Sequence, residues 1–137
     1  MSMLFREQLS AAKNNIKLQI FASDVDAGAV DQARAGSYPD SISSDVSDER
    51  LTRFFIKDEH GYRVSSELRS AVIFTVQDVL SDPPFSRLDF ISCRNLLIYL
   101  GADAQQKVIS MFHFALRKDG ILLFGNAEPV GNAEQNF

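Results

Sequence analysis

The stretch LDFISCRNLLIYL, Leu88 to Leu100, decides how the rest of the chain is read. Its first half is an apolar run suited to a buried strand, and its second half is apolar again, yet Cys93, Arg94 and Asn95 stand in a row between them. A guanidinium set among apolar residues is costly unless something pairs with it. Arg94 therefore marks the carboxyl end of a strand. It faces either a protein carboxylate, with Asp89 and Asp78 as candidates, or a ligand, and spacing leaves both open.

Downstream, Asp103 with Gln106 resembles a capping box, and Val108, Ile109, Met111, Phe112, Ala115 and Leu116 form an apolar stripe at helical spacing. Arg117 and Lys118 suit the helix C-terminus, Gly120 is the expected stop, and ILLF (121–124) begins another buried strand followed by polar GNAE (125–128). Upstream, AVIFTV (71–76) reads as a parallel strand ending at Gln77 and Asp78, with Pro83 and Pro84 as punctuation. Nearer the start, MLFREQLSAAKNN (3–15) gathers Leu4, Phe5, Leu9 and Ala12 on one helical face, with Asn14 and Asn15 as the stop. Ile16, Leu18, Ile20, Phe21 and Ala22 predict a strand buried on both faces that ends at SDVD. Asp26 then caps a short helix that Gly36 ends in a left-handed conformation. From Ser37 the texture becomes Ser- and Asp-rich. Ser47 caps a short helix carrying Leu51, Phe54 and Phe55, and His60 with Gly61 forms a turn between two extended pieces.

Strands alternating with helices imply an α/β fold with a mostly parallel sheet, in which ligands bind outside the carboxyl ends of the strands. Four such ends carry polar residues: Asp24, Asp78, Arg94 with Asn95, and Asn126 with Glu128. Asp24 is placed to accept hydrogen bonds from ribose hydroxyls, because one carboxylate takes two donors; a solvated strand end explains it equally well. Asp26 is explained by its capping position. Cys93 reads as a small buried hydrophobe with no activating partner, and His60 and His113 read as structural or solvated.

With 137 residues, 45% hydrophobic and 23% charged, the composition is that of a single globular domain. A net charge of −4 with no basic run argues against nucleic acid as a partner. One cysteine and two separated histidines give no intrachain disulfide and no metal-ligand spacing. No apolar stretch approaches the roughly 20 residues of a membrane span, and no secretory signal is evident, so membrane insertion is not expected and the expected location is cytoplasmic.

The strings IFASDVD (20–26), ARAGSYPDSI (33–42), RFF (53–55), VIFTVQDVL (72–80), DPPFSRLDFISCRNLLIYL (82–100) and LRKDGILLFGNAE (116–128) together resemble the CheR-type chemotaxis receptor methyltransferases. They look most like versions fused to methylesterase, PAS or histidine-kinase modules. The resemblance implies a Rossmann-like S-adenosylmethionine-dependent methyltransferase fold over 1–137, with a small antiparallel β-subdomain inserted at 37–68. It implies methyl transfer to glutamate carboxylates of methyl-accepting chemotaxis receptors, leaving S-adenosylhomocysteine. It further implies cofactor contacts at Asp24, Asp78, Val79, Cys93, Arg94 and Asn95, and an acceptor site bordered by Arg94 and Tyr99. In some members the inserted subdomain docks a receptor tail by strand addition; a structural flap is the preferred reading here. The family's glycine-containing loop, resembling CSTGEEAYS, and its first strand have no counterpart in these 137 residues. The polypeptide alone is therefore expected to be a partial domain with little cofactor affinity. The rival readings are a catalytically silent sensory or scaffolding module, a nicotinamide-dependent dehydrogenase, and a receiver domain. The CRNLLIY string argues against the dehydrogenase, and no phosphorylatable Asp with a partnering Lys is identifiable for the receiver.

Overall fold

The computed structural model describes residues 1–13 and 15–126, as two compact units, Met1–Gln77 and Asp78 onward. In the first, helix α1 (Ser2–Ala11) precedes strand β1 (Ile20–Asp24), helix α2 (Ala27–Ala35) and strand β2 (Ser37–Tyr38). A 3-10 turn (Asp40–Ser44), helix α3 (Asp48–Phe54), strands β3 (Phe55–Asp58) and β4 (Gly61–Val64), helix α4 (Ser66–Arg69) and strand β5 (Val72–Val76) follow. In the second unit, strand β6 (Leu88–Cys93), a 3-10 turn (Leu97–Tyr99) and helix α5 (Ala102–Ala115) lead into strand β7 (Leu116–Phe124).

The β1 and β5 strands pair in parallel, Ile20 opposite Val72 through Asp24 opposite Val76. The local chemistry of α2 explains how the chain leaves β1. Asp26 Oδ1 accepts the amides of Gly28 (2.8 Å) and Ala29 (3.3 Å), satisfying donors the first turn would otherwise orphan. At the other end Gly36, at φ +63°, closes the helix onto the carbonyls of Ala33 and Gln32. Arg34 Nη2 reaches the Phe74 carbonyl at 3.1 Å and so ties α2 to β5.

Between β1 and β5 in sequence, the chain forms a separate antiparallel sheet of order β2-β4-β3, with Phe55 opposite Val64 and Asp58 opposite Gly61. Gly61 sits at φ +136°, and a Cβ there would run into the Tyr38 carbonyl, so no other residue fits this turn without backbone movement. Helix α3 is capped by Ser47, whose Oγ accepts the Arg50 amide, and it buries Leu51 and Phe54. Glu7 on α1 holds Arg50 on α3 through two bonds of 2.7 and 3.1 Å.

Strands β6 and β7 are parallel, Phe90 opposite Ile121 through Cys93 opposite Phe124, with a register shift between Leu88 and Phe90. Helix α5 packs Val108, Ile109, Phe112 and Ala115 against Ile91, Cys93 and Leu97, forming one apolar core. Thus the α/β class, the parallel pairs and the small antiparallel sheet follow the expectations from sequence.

Several local expectations are corrected. The first strand begins at Ile20, not Ile16, because the β5 partner row starts only at Val72, after the turn that closes α4. Strand β1 is not buried on both faces: Phe21 is exposed, as are Ile73 and Val76 on its partner β5. Helix α1 ends at Ala11, ahead of Asn15, while Asn14 lies outside the described residues. The capping box at Asp103 and Gln106 does not form; Gly101 is the N-cap and α5 starts at Ala102. Helix α5 stops at Ala115 rather than at Gly120, because Leu116 already pairs with Leu88 in the sheet. Residues 117–120 then take up the register shift, with Asp119 at φ +66°.

Candidate functional site

The residues singled out in the sequence fall at carboxyl ends of parallel strands, two sets in two units. In the first unit Asp24 is the last residue of β1, exposed, with its backbone carbonyl accepting the Gln77 amide at 2.9 Å. Its Oδ1 accepts the Asp26 amide at 2.9 Å, which fixes the carboxylate at the strand end. Among the described residues no other donor reaches this carboxylate, so it keeps capacity for further hydrogen bonds.

In the second unit Asp78 opens a tight turn. Its Oδ1 accepts the Leu80 amide and its Oδ2 the Ser81 hydroxyl, each at 2.9 Å, while its own amide donates to Asp82 Oδ2 at 2.7 Å. The Leu80 amide, then the Ser81 hydroxyl, with the Lys107 ammonium as a lesser influence, hold the Asp78 carboxyl below its ordinary range. Lys107 on α5 donates to the Leu80 carbonyl at 2.9 Å, anchoring the same turn. Val79 and Leu80 pack onto the apolar core. The carboxylate of Asp78 is thus committed to shaping its loop, and what the loop offers a ligand is mainly its backbone and the Val79 side chain.

The strand end at Cys93 is the most informative. Cys93 is buried in the core, as a small hydrophobe should be. Arg94 follows, exposed, and makes no ion pair with a described residue; Asp89 pairs instead with Arg117 at 2.7 Å, and Asp78 is held in its own turn. The protein partners considered for Arg94 are therefore engaged elsewhere. Asn95 takes φ +63°, a left-handed conformation that asparagine tolerates better than most residues, and turns the chain sharply out of the strand. Leu97 is fully buried and fastens the following 3-10 turn to the core, which leaves Tyr99 at the tip with 79% of its surface exposed. Arg94 and Tyr99 are brought onto one short segment with an anchored middle.

Asn126 lies in a turn just past β7, again a polar residue at a strand end, and Glu128 lies outside the described residues. Three features escaped the sequence reading. The Asp89–Arg117 pair depends on the β6–β7 register. The Asp78 turn was signalled only by its Asp-x-x-Ser-Asp spelling. Gln105, whose side chain reaches the 97–100 turn, looks in sequence like any solvent-facing helical glutamine.

No cluster of His, Cys, Asp and Glu that could hold a metal occurs among the described residues, and no described helix is long and apolar enough to cross a membrane.

Comparison with known proteins places these observations. A chemotaxis protein methyltransferase of Salmonella typhimurium is 32% identical over 128 residues, covering 87% of this chain and 43% of that protein. That of Escherichia coli is 31% identical over 128 residues, with 87% and 44% covered. A Rhodobacter capsulatus protein, described as an uncharacterized 104.1 kDa protein in the hypE 3′ region, is 34% identical over all 137 residues, which are 14% of its length. The chain therefore spans less than half the length of these relatives. The family model for the CheR methyltransferase SAM-binding domain matches residues 1–137, and the chain belongs to that family.

Proposed function

We propose that this chain works within an S-adenosylmethionine-dependent enzyme that esterifies glutamate side chains of methyl-accepting chemoreceptors in the cytoplasm. In this reading residues 1–137 belong to one catalytic domain, with 37–68 as its inserted subdomain. The observation that carries it is Arg94: an exposed guanidinium at the carboxyl end of a parallel strand, unpaired among the described residues, beside an anchored turn that presents Tyr99.

The residues present suit the cofactor. Asp24 ends a parallel strand with hydrogen-bonding capacity left over, which matches the needs of a ribose diol. The turn at Asp78 and Val79 offers an apolar side chain and a rigid backbone, which suits one face of a purine. Cys93, Arg94 and Asn95 supply the remaining contacts. When bound, adenosylmethionine supplies a methyl group on a positively charged sulfur.

The chain's own task is then positioning. A glutamate carboxylate, with a reference pKa of about 4.3, is already ionised at neutral pH, so no general base is needed. Arg94 holds one carboxylate oxygen through a charge-assisted hydrogen bond, an end-on contact rather than the bidentate fork, and so leaves the other oxygen free. Tyr99 donates from its phenol to orient the same group. Alignment of this kind, in a setting drier than bulk water, is what such a transfer requires.

Methyl incorporation into receptor by Arg94→Ala and Arg94→Lys variants tests the reading. Loss of a charge-assisted hydrogen bond corresponds to about a 10- to 100-fold fall in kcat/KM for alanine, with partial retention for lysine. Full activity of Arg94→Ala contradicts the assignment. The second reading is a methyltransferase-like sensory or scaffolding module in a signalling fusion with methylesterase, PAS or histidine-kinase modules. The observation that favours it is the 104.1 kDa relative, of which the match is 14%. It predicts receptor association without methyl incorporation.

A further inference from the structure

The segment that carries Arg94 and Tyr99 is bridged by one side chain from a different element. The 3-10 turn is held internally by the Tyr99 amide on the Leu96 carbonyl (3.1 Å) and the Leu100 amide on the Leu97 carbonyl (3.0 Å). These bonds and the buried Leu97 side chain hold the start of the turn, while the Leu100 carbonyl lies past its end, where 3-10 geometry is poor. Gln105, in the first turns of α5, supplies what is missing. Its Nε2 donates to the Leu97 carbonyl at 2.9 Å and to the Leu100 carbonyl at 3.0 Å, so one amide group bridges both ends of the turn. Its own backbone amide is bonded to the Gly101 carbonyl at 2.9 Å, which places the side chain on a rigid helix rather than a loop. The helix in turn is fastened to the core by Val108, Ile109 and Phe112.

We infer that Gln105 is a positioning residue for methyl transfer, clamping the Leu97–Leu100 turn that carries the exposed Tyr99 phenol. The inference rests on the proposed roles of Arg94 and Tyr99. A glutamine is suited to this work in a way an acidic or apolar residue of similar length is not, because neither of those has a proton to donate. It has two amide protons for two carbonyls and adds no charge at the helix N-terminus.

Two substitutions in the active protein that contains these residues separate the clamp from a merely structural role. Gln105→Met keeps the length and removes the donors; Gln105→Lys restores a donor. Hydrogen exchange of the peptide spanning residues 94–101 reads the clamp without reference to activity. The expected result for Gln105→Met is faster exchange in that peptide with β6 and β7 unchanged. Its kcat is expected to fall about tenfold while the cofactor KM stays within about twofold, since misplacing a positioning group costs rate rather than binding. Gln105→Lys is expected to recover most of both. Unchanged exchange in Gln105→Met overturns the clamp, and faster exchange with unchanged kcat overturns the positioning role. If Arg94→Ala and Tyr99→Phe retain full activity, it is the site reading that fails, and the exchange result still reports on the clamp.

Discussion

Replacing Asn95 separates the two jobs its position implies. Asn95 holds φ +63° at the exit from β6, where an L-residue with a Cβ pays roughly 1–2 kcal/mol and asparagine somewhat less. Alanine here should cost about 1 kcal/mol relative to asparagine, which for a domain of this size lowers Tm by about 3–6 °C. A β-branched valine should cost more, because it is the residue class least suited to positive φ. Glycine adopts the conformation without strain, so Asn95→Gly should melt within about 2 °C of the unaltered protein. The side chain is exposed and is proposed to contact cofactor, so the same glycine variant should lose a single hydrogen bond's worth of affinity, about 5- to 10-fold in Kd for adenosylhomocysteine. Calorimetric melting and isothermal titration of the alanine, valine and glycine variants give both readings. Equal stability of Asn95→Ala and Asn95→Gly refutes the backbone argument. Full affinity in Asn95→Gly removes Asn95 from the cofactor contacts.

Leu97→Ala empties a fully buried site in the β6–β7–α5 core and should destabilise by about 2–5 kcal/mol, read by denaturant unfolding. Gly61→Ala forces a Cβ toward the Tyr38 carbonyl at φ +136° and should lower stability by at least about 1 kcal/mol, read by the shift in unfolding midpoint. The Asp78 carboxyl titrates below its unfolded value. Its contribution is therefore present above about pH 4 and is lost as pH falls through the lower folded value, and Asp78→Asn should flatten the acid limb of the stability curve. Deleting Lys57–Tyr62 should leave receptor-peptide affinity unchanged if the antiparallel sheet is a flap; a tenfold loss assigns that sheet to docking.

Strands followed by polar residues were legible because apolar runs and their terminators are local signals. The strands at Val72–Val76 and Leu88–Cys93, the Asp26 and Ser47 caps and the Gly36 stop formed where such signals stood, whereas the hairpin turn falls at Glu59–His60, one residue before the expected His60–Gly61, because Gly61 already pairs with Asp58. What could not be read is what pairing decides. The start of β1 at Ile20 and the end of α5 at Ala115 are set by partner strands far away in sequence, which override a periodicity that continues past them. The site divides the same way. Asp24 and Arg94 were visible as strand-end polar residues, whereas the engagement of Asp89 by Arg117 and the reach of Gln105 to two carbonyls need three-dimensional register. Asn95 lay between these cases: an asparagine at a strand exit is a left-handed signal, but a ligand contact explains it equally well.

The most direct test is a crystal structure, with adenosylhomocysteine, of the protein that contains these residues. The account predicts the Asp24 carboxylate hydrogen-bonded to the ribose and the Arg94 guanidinium turned toward the ligand, with Tyr99 on the same side. A nucleoside bound away from Asp24, or Arg94 folded onto a protein carboxylate, would contradict it.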